Sequence, residues 1–70
     1  MTKATARNVV KNWPQQRKDF VLSDVAMLMA MRANGDNRDL VKISASTAFI
    51  LEKCFHRGVD INPIEIAKLL

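Results

Sequence analysis

Cysteine, glycine, proline and aromatic residues are all scarce in this chain of 70 residues. The single cysteine, Cys54, cannot form a disulfide within the chain, and no secretory signal pattern is present, so the sequence predicts a reducing, cytoplasmic location. Cys54 and His56 are too few and too close together for a structural zinc site. We therefore expect no metal and no cofactor.

Long apolar runs are also missing. The longest, from Val25 to Met31, is far shorter than the roughly 20 residues that a membrane-spanning helix needs. A glycine-rich phosphate loop and a Ser, His and Asp grouping are missing as well, and an active site requires such positioned groups. The sequence thus predicts a protein that neither spans a membrane, nor acts as an enzyme, nor takes a small-molecule substrate.

Acidic residues are absent from the first 18 positions. This segment contains five basic residues, whereas residues 19–70 contain six basic and seven acidic residues. Such asymmetry suggests an arm for an anionic partner, although a solvated helix that keeps the protein soluble explains it equally well. The basic residues of this N-terminal helix or arm (1–18) are Lys3, Arg7, Lys11, Arg17 and Lys18.

Apolar residues recur at helical spacing, and no segment alternates with period two for long enough to form a strand. The chain is therefore predicted to be a single all-α domain over residues 1–70, a small bundle of about four helices. The first helix runs from about Lys3 to Asn12 and ends before Pro14, with Trp13 anchoring it to the core. Its apolar stripe comprises Ala6, Val9, Val10 and Trp13.

The second predicted helix spans residues 23–34 and is apolar in nearly every direction. Ser23 is its expected N-cap and Gly35 its stop, while "QQRKDF" before it reads as a polar connector with at most a helical turn after Pro14. A helix that is apolar all round must be covered on all sides. A chain of this size buries only roughly 60% of its unfolded surface. We therefore expect a homodimer or another protein partner, with Met27, Met29 and Met31 at the interface.

The third predicted helix runs from about Arg38 to Arg57, capped by Asp36 or Asn37 and stopped by Gly58. Its core stripe contains Leu40, Ile43, Thr47, Ile50, Leu51, Cys54 and Phe55. The opposite side contains Lys42, Ser46, Phe49, Lys53 and Arg57. Phe49 is the apolar residue among these, so it either meets a partner protein or a nucleic-acid base, or is covered by the N-terminal helix.

The last helix has a clear start. Asn62 is its predicted N-cap and Pro63 its first residue. A helix of about eight residues is marginal by itself in water and must dock on the rest of the chain. Ile64, Ala67 and Leu70 are its predicted docking residues.

The stretch "ISASTAFILEKCFHRGV", residues 43–59, resembles the recognition helix of helix-turn-helix and winged-helix regulators. The resemblance implies that Ser44, Ser46, Thr47 and Phe49 face the major groove and that Lys53 approaches phosphates. The preceding "NRDLVK" is too short for the helix and turn that come first in those proteins. The resemblance therefore does not assign the chain to a family.

Two functions follow from these patterns. The first is a small, dimeric nucleic-acid-binding regulator, with DNA favoured over RNA, whose basic residues neutralise phosphates and release counterions. Its predicted contacts are Lys3, Arg7, Lys11, Arg17, Lys18, Lys42, Ser46, Phe49 and Lys53. The alternative is a helical protein–protein interaction module, an adaptor, inhibitor or small assembly subunit, with no nucleic-acid binding. The apolar second helix and its methionines favour this alternative.

Overall fold

The computed structural model describes residues 2–38, 42–55 and 62–70. This part of the chain is all-helical and contains no strand, which confirms the predicted fold class. Its helices are α1 (Lys3–Lys11), α2 (Gln15–Ala33), α3 (Ala45–Cys54) and α4 (Pro63–Ala67). Within these ranges no helix is both long and apolar enough to cross a bilayer.

Helix α1 forms as the sequence predicts. The Thr2 hydroxyl caps its N-terminus by accepting a hydrogen bond from the Thr5 N–H at 3.2 Å. Ala6 and Val10 are fully buried, one turn apart on the same stripe, whereas Val9, which the sequence places on that stripe, is exposed. The helix ends at a three-residue connection that finishes with Pro14.

Helix α2 is longer than predicted. It begins at Gln15, directly after Pro14, and continues without interruption to Ala33. Ser23 therefore lies in mid-helix, and its prediction as an N-cap is wrong, as is the prediction that the helix spans only 23–34. Pro14 is the N-cap: its backbone is extended, with ψ 149°, it has no N–H to leave unpaired, and its carbonyl accepts the first helical hydrogen bonds, from the N–H groups of Arg17 and Lys18.

The C-terminal end of α2 is as predicted. Asn34 is its C-cap, and Gly35 follows with φ +78°, a left-handed conformation that glycine adopts without steric cost. Arg32 reaches back over this turn, and its Nη1 donates to the carbonyls of Asp36 and Arg38, at 2.9 Å each. The turn after α2 is thus held to the helix by one side chain.

Helix α3 is shorter than predicted. Residues 42–44 are not helical, and the helix begins after Ser44, whose hydroxyl accepts from the Thr47 N–H at 3.3 Å. Serine is a strong N-cap, and this one replaces the predicted caps Asp36 and Asn37. The helix ends at Cys54 rather than Arg57. The predicted core residue Leu40 and the predicted stop at Gly58 lie outside the described residues.

Helix α4 begins as predicted, with Asn62 as N-cap and Pro63 at its first position. The predicted docking face is wrong in part, because Ile64 is 49% exposed whereas Ile66 and Leu69 are almost completely buried. Ala67 and Leu70 are half-buried against the core. The side of α4 that contains Ile66 packs against the core, and Ile64 on the other side is exposed to solvent.

One core joins the four helices. Helix α1 packs against α3, and α2 packs against both α3 and α4. The long helix α2 is therefore the element that brings α3 and α4 together in one core. The buried apolar side chains are Ala6, Val10, Val21, Val25, Leu28, Ile50, Ile66 and Leu69.

Candidate functional site

The exposed side of α2 is the most unusual surface of the described chain. Between residues 20 and 30 its solvent-exposed positions are Phe20, Leu22, Ser23, Ala26, Met27, Met29 and Ala30. None of these side chains is charged, and only a serine is polar. We call this set of residues the α2 face.

The α2 face is the part of the helix that the core leaves uncovered. Val21, Val25 and Leu28 follow one another at the i, i+4, i+7 spacing of a single helical stripe, and they are buried. This stripe covers one side of the helix only. The remaining apolar residues of the segment have no intramolecular partner surface large enough to bury them, so Phe20 stays 52% exposed and Met27 57% exposed.

Large and small residues of the α2 face are arranged in rows. Ser23, Ala26 and Ala30 are spaced by three and four residues and run along its middle. Phe20 and Met27, seven residues apart, border this row on one side. Leu22 and Met29, also seven residues apart and 44% and 48% exposed, border it on the other side. The face is thus a shallow channel of small residues between two apolar ridges.

The charged residue of the same segment, Asp24, makes hydrogen bonds within the chain. Asp24 is half-buried, and one of its carboxylate oxygens, Oδ2, accepts from the Ser44 N–H at 3.1 Å, the Ser44 hydroxyl at 3.0 Å and the Thr47 hydroxyl at 2.6 Å. Thr47 is completely buried. The negative charge therefore lies at the N-terminus of α3, where the helix dipole and the unpaired N–H groups favour an anion.

The methionines predicted to form an interface divide into two groups. Met27 and Met29 belong to the α2 face and are about half exposed. Met31 is half-buried and packs against the core of its own chain. The single chain therefore does not cover this helix on all sides. It buries the stripe of Val21, Val25 and Leu28 and covers Met31 in part.

Arg17, a predicted phosphate-binding residue, is held within the molecule. Its guanidinium carbon lies 3.7 Å from the centroid of the Trp13 ring, and its Nε donates to the Ser46 hydroxyl at 2.8 Å. Trp13 in turn meets Phe49 edge-to-face, with ring centroids 5.8 Å apart. These four side chains form a clip that ties the beginning of α2 to α1 and α3.

Two further predicted contacts belong to this clip. Ser46, predicted on the side of the third helix opposite its core stripe, is only 7% exposed and accepts the hydrogen bond from Arg17. Phe49 is half-buried against Trp13 at the end of the N-terminal helix, which is the second of the two environments predicted for it. Neither side chain is presented to a nucleic acid in this arrangement.

The remaining basic candidates differ in availability. Lys18 is half-buried, and its ammonium donates to the Lys11 carbonyl at 3.2 Å at the end of α1. Arg7 and Lys11 are exposed on α1, and no acidic residue lies between residues 2 and 18. The other exposed candidates are Lys42, in the segment before α3, and Lys53, on α3. Lys3 is the first residue of α1, and its side chain is outside the described part.

A local ion pair follows α2. The Arg38 guanidinium lies 2.8 Å from a carboxylate oxygen of Asp36, and hydrogen bonding from Arg38 lowers the pKa of Asp36 from 3.8 to about 2. The same contact raises the pKa of Arg38. The described residues hold no group of three His, Cys, Asp or Glu side chains that could bind a metal ion.

Sequence reasoning missed two features of this region. The predicted start at Ser23 puts Phe20 and Leu22 before the helix, whereas they are the first ridge residues of the α2 face, in a helix that begins at Gln15. The same predicted start puts Asp24 at the beginning of the helix, whereas Asp24 lies in its middle. Asp24 follows Val21 by three residues and precedes Val25 by one. This spacing is the signal in the sequence that Asp24 lies beside the buried stripe of α2.

Comparison with known proteins gives no match. No family model matches the chain, and neither a curated protein nor a solved structure is similar to it.

Proposed function

We propose that this protein is a small helical protein–protein interaction module and that the α2 face is its docking surface. The observation that carries the proposal is the exposure of four large apolar side chains, Phe20, Leu22, Met27 and Met29, along one uncharged helix face. Contiguous exposed apolar patches of several hundred Å² are uncommon on monomeric proteins and mark interaction sites.

Rigidity of the supporting helix favours this function. Helix α2 has 19 residues and supplies three residues to the buried core, so the ridges are presented on a fixed rod. Methionine adapts its unbranched side chain to irregular partner surfaces. A partner helix that lies in the channel over Ser23, Ala26 and Ala30 approaches closely, because the small side chains leave room between the ridges.

The test uses the tagged full chain expressed in the organism of origin. Quantitative mass spectrometry compares the proteins that co-purify with the wild type and with two variants, Ala26→Arg on the α2 face and Ala4→Arg on the exposed side of α1. Both variants place the same charge on an exposed helical alanine. We expect partners, including differently tagged copies of the chain itself, to be retained by Ala4→Arg and lost from Ala26→Arg. Equal recovery from both variants would contradict the proposal.

Nucleic-acid binding is the second candidate function. The observation that favours it is the exposure of Arg7 and Lys11 on a segment without acidic residues. Arg17 and Lys18 already have intramolecular partners, so fewer cations are free to neutralise phosphates than the sequence suggested. Affinity from so few charges is expected to be weak and to fall with salt.

Fluorescence anisotropy with labelled duplex DNA and RNA across a salt series tests this candidate. With two to four phosphates neutralised, the log–log slope is expected to lie between about −2 and −4. The double variant Arg7→Glu and Lys11→Glu removes the binding. Asp19→Asn, on the exposed part of α2, is the control that leaves it unchanged. Absence of binding at low salt eliminates the candidate.

A further inference from the structure

We infer that the α2 face is occupied by the α2 face of a second copy of this chain, with the two helices antiparallel. The inference rests on the proposed function and names the partner of that same surface. The resulting dimer is two-fold symmetric, so the same surface of each copy forms the interface.

Charge singles out the α2 face as the surface that two copies of this chain can share. The chain has a net charge of +4, so two copies repel wherever their charged surfaces meet. On the described chain, charged residues are exposed on or directly beside each of the other helices, for example Arg7 on α1, Lys53 on α3 and Lys68 at the end of α4. The α2 face carries none. Among the described helix surfaces it is therefore the one through which two copies can meet with no charge at the centre of the contact.

The order of residues along α2 fits an antiparallel pairing. The middle row of the α2 face continues by one residue at each end, to Asp19 before Ser23 and to Ala33 after Ala30. Successive residues of this row, from Asp19 to Ala33, are four, three, four and three positions apart. A parallel pair brings the two Asp19 carboxylates together across the seam, where they repel. An antiparallel pair centred on Ala26 places Asp19 of each copy opposite Ala33 of the other, and the two carboxylates are then about 21 Å apart along the axis.

One of the two ridges is complementary in the same arrangement. With the two-fold axis at Ala26, Leu22 of one copy lies within about 1.5 Å of Met29 of the other along the helix axis. On the other side of the channel, Phe20 of one copy and Met27 of the other are offset by about 7.5 Å along the axis, so they border the seam without facing each other directly. The helix dipoles also oppose each other, which favours this orientation over the parallel one.

The area available suits a reversible dimer. From their exposed fractions, the four ridge side chains present about 350 Å² per copy if each has roughly 150–200 Å² in all. With the alanines, the serine and nearby backbone, two copies bury about 1,000–1,200 Å², the lower end of the range for specific interfaces. We expect a dissociation constant in roughly the micromolar range, since small interfaces leave little surplus after the costs of association.

Sedimentation velocity of the full chain from about 1 to 500 µM, a range that brackets a micromolar dissociation constant, tests the inference. The wild type is expected to pass from monomer to dimer. Ala26→Arg, at the centre of the seam, is expected to weaken dimerisation at least about 100-fold, since it buries two unpaired charges. Ala4→Arg is the matched control and leaves the dimer intact. Circular dichroism verifies folding, and Ala30→Lys on the same face gives a second, independent disruption.

Orientation is tested by Ala33→Lys. In the antiparallel dimer the introduced ammonium faces Asp19 of the other copy, so dimerisation is expected to tighten by about two- to fivefold, the range of exposed ion pairs. In a parallel dimer the two introduced charges face each other and dimerisation weakens. Weakening would overturn the antiparallel arrangement.

Failure of this inference is distinguishable from failure of the proposed function. A wild-type chain that stays monomeric over the whole range overturns the second copy as occupant. If such a monomeric chain still loses a cellular partner when Ala26→Arg is introduced, the α2 face docks a different protein and the proposed function stands. If Ala26→Arg changes neither property, both are overturned.

Discussion

Asp24 connects α2 to α3 through a single carboxylate oxygen that accepts three hydrogen bonds. Two of the three donors belong to Ser44, which is also the N-cap of α3, and the third is the buried Thr47 hydroxyl. One side chain therefore determines both where α3 begins and how it lies on α2. Without it, polar groups at the α2–α3 contact lose their partner, and unpaired buried polar groups are costly.

Asp24→Ala is expected to lower the free energy of unfolding by about 2–3 kcal/mol, since hydrogen bonds to a charged group contribute more than neutral ones. Urea unfolding followed by circular dichroism measures the change. Asp19→Ala is the control, because Asp19 accepts only from the Gln15 side chain on the exposed surface and should change stability by less than about 0.5 kcal/mol. Equal effects of the two substitutions would contradict this role of Asp24.

Arg17 depends on its planar shape as well as on its charge. It stacks on Trp13 and donates to Ser46, and lysine keeps the charge without the planar guanidinium. Arg17→Lys is therefore expected to lower stability by about 1–2 kcal/mol and to change the fluorescence of Trp13, the single tryptophan. Unchanged stability and fluorescence would show that the clip contributes nothing beyond charge.

Asp36 gives a prediction about pH. Its pKa is lowered to about 2 by Arg38, so the folded state is stabilised fully above the ordinary value of 3.8, and this contribution is lost as the pH falls through about 2. Carbonyl-carbon NMR is expected to show Asp36 titrating near pH 2 in the wild type and near its ordinary value in Arg38→Gln. A wild-type midpoint close to 3.8 would show that the ion pair does not persist in solution.

The ends of helices were predictable where a single strong capping signal is present in the neighbouring residues. Asn62 and Pro63 give the start of α4, and Gly35 follows the end of α2, because capping chemistry depends on adjacent residues alone. The start of α2 was missed because two start signals, Pro14 and Ser23, compete in the sequence. The start of α3 at Ser44 was missed because Asp36 and Asn37 offer earlier capping signals, and the contact of Ser44 with Asp24, twenty residues away, is one that no local pattern reveals.

The candidate site was predictable in composition but not in geometry. The excess of apolar residues in residues 25–31 correctly indicated that one chain cannot cover this helix. Which residues stay uncovered depends on where α3 and α4 pack, so Met31 proved to be half-buried whereas Phe20 and Leu22 proved to be exposed. Arg17 shows the same limit, since its partners Trp13 and Ser46 are brought together only by the packing of α1 and α3.

Two serines test the helix limits directly. If α2 is continuous, Ser23 is an exposed mid-helix residue, and Ser23→Ala is expected to be neutral or slightly stabilising because alanine has the higher helix propensity. Ser44→Ala removes a true N-cap and is expected to cost about 1–2 kcal/mol in urea unfolding. A larger loss at Ser23 than at Ser44 would place the start of the helix at Ser23 after all.

The whole molecule divides its surface by chemistry. Helix α1 exposes basic residues, α2 exposes an uncharged apolar face, and the half-buried side chains of Asp24 and Arg17 make contacts within the chain. A chain of this size has a small core and gains stability when a second subunit covers more apolar surface. The fold and the proposed docking surface therefore have the same physical origin, a central helix with more apolar residues than its own chain can bury.

Oxidation of individual methionines by dilute peroxide, measured by mass spectrometry in concentrated solutions of the wild type and of Ala26→Arg, tests most directly whether the α2 face is covered. Met27 and Met29 are about half exposed in the single chain, whereas Met31 is half-buried against the core and lies off the α2 face, so it serves as the internal reference. Covering of the face predicts that Met27 and Met29 oxidise several-fold more slowly in the wild type, with Met31 unchanged. Equal rates at Met27 and Met29 in the two proteins would contradict the account.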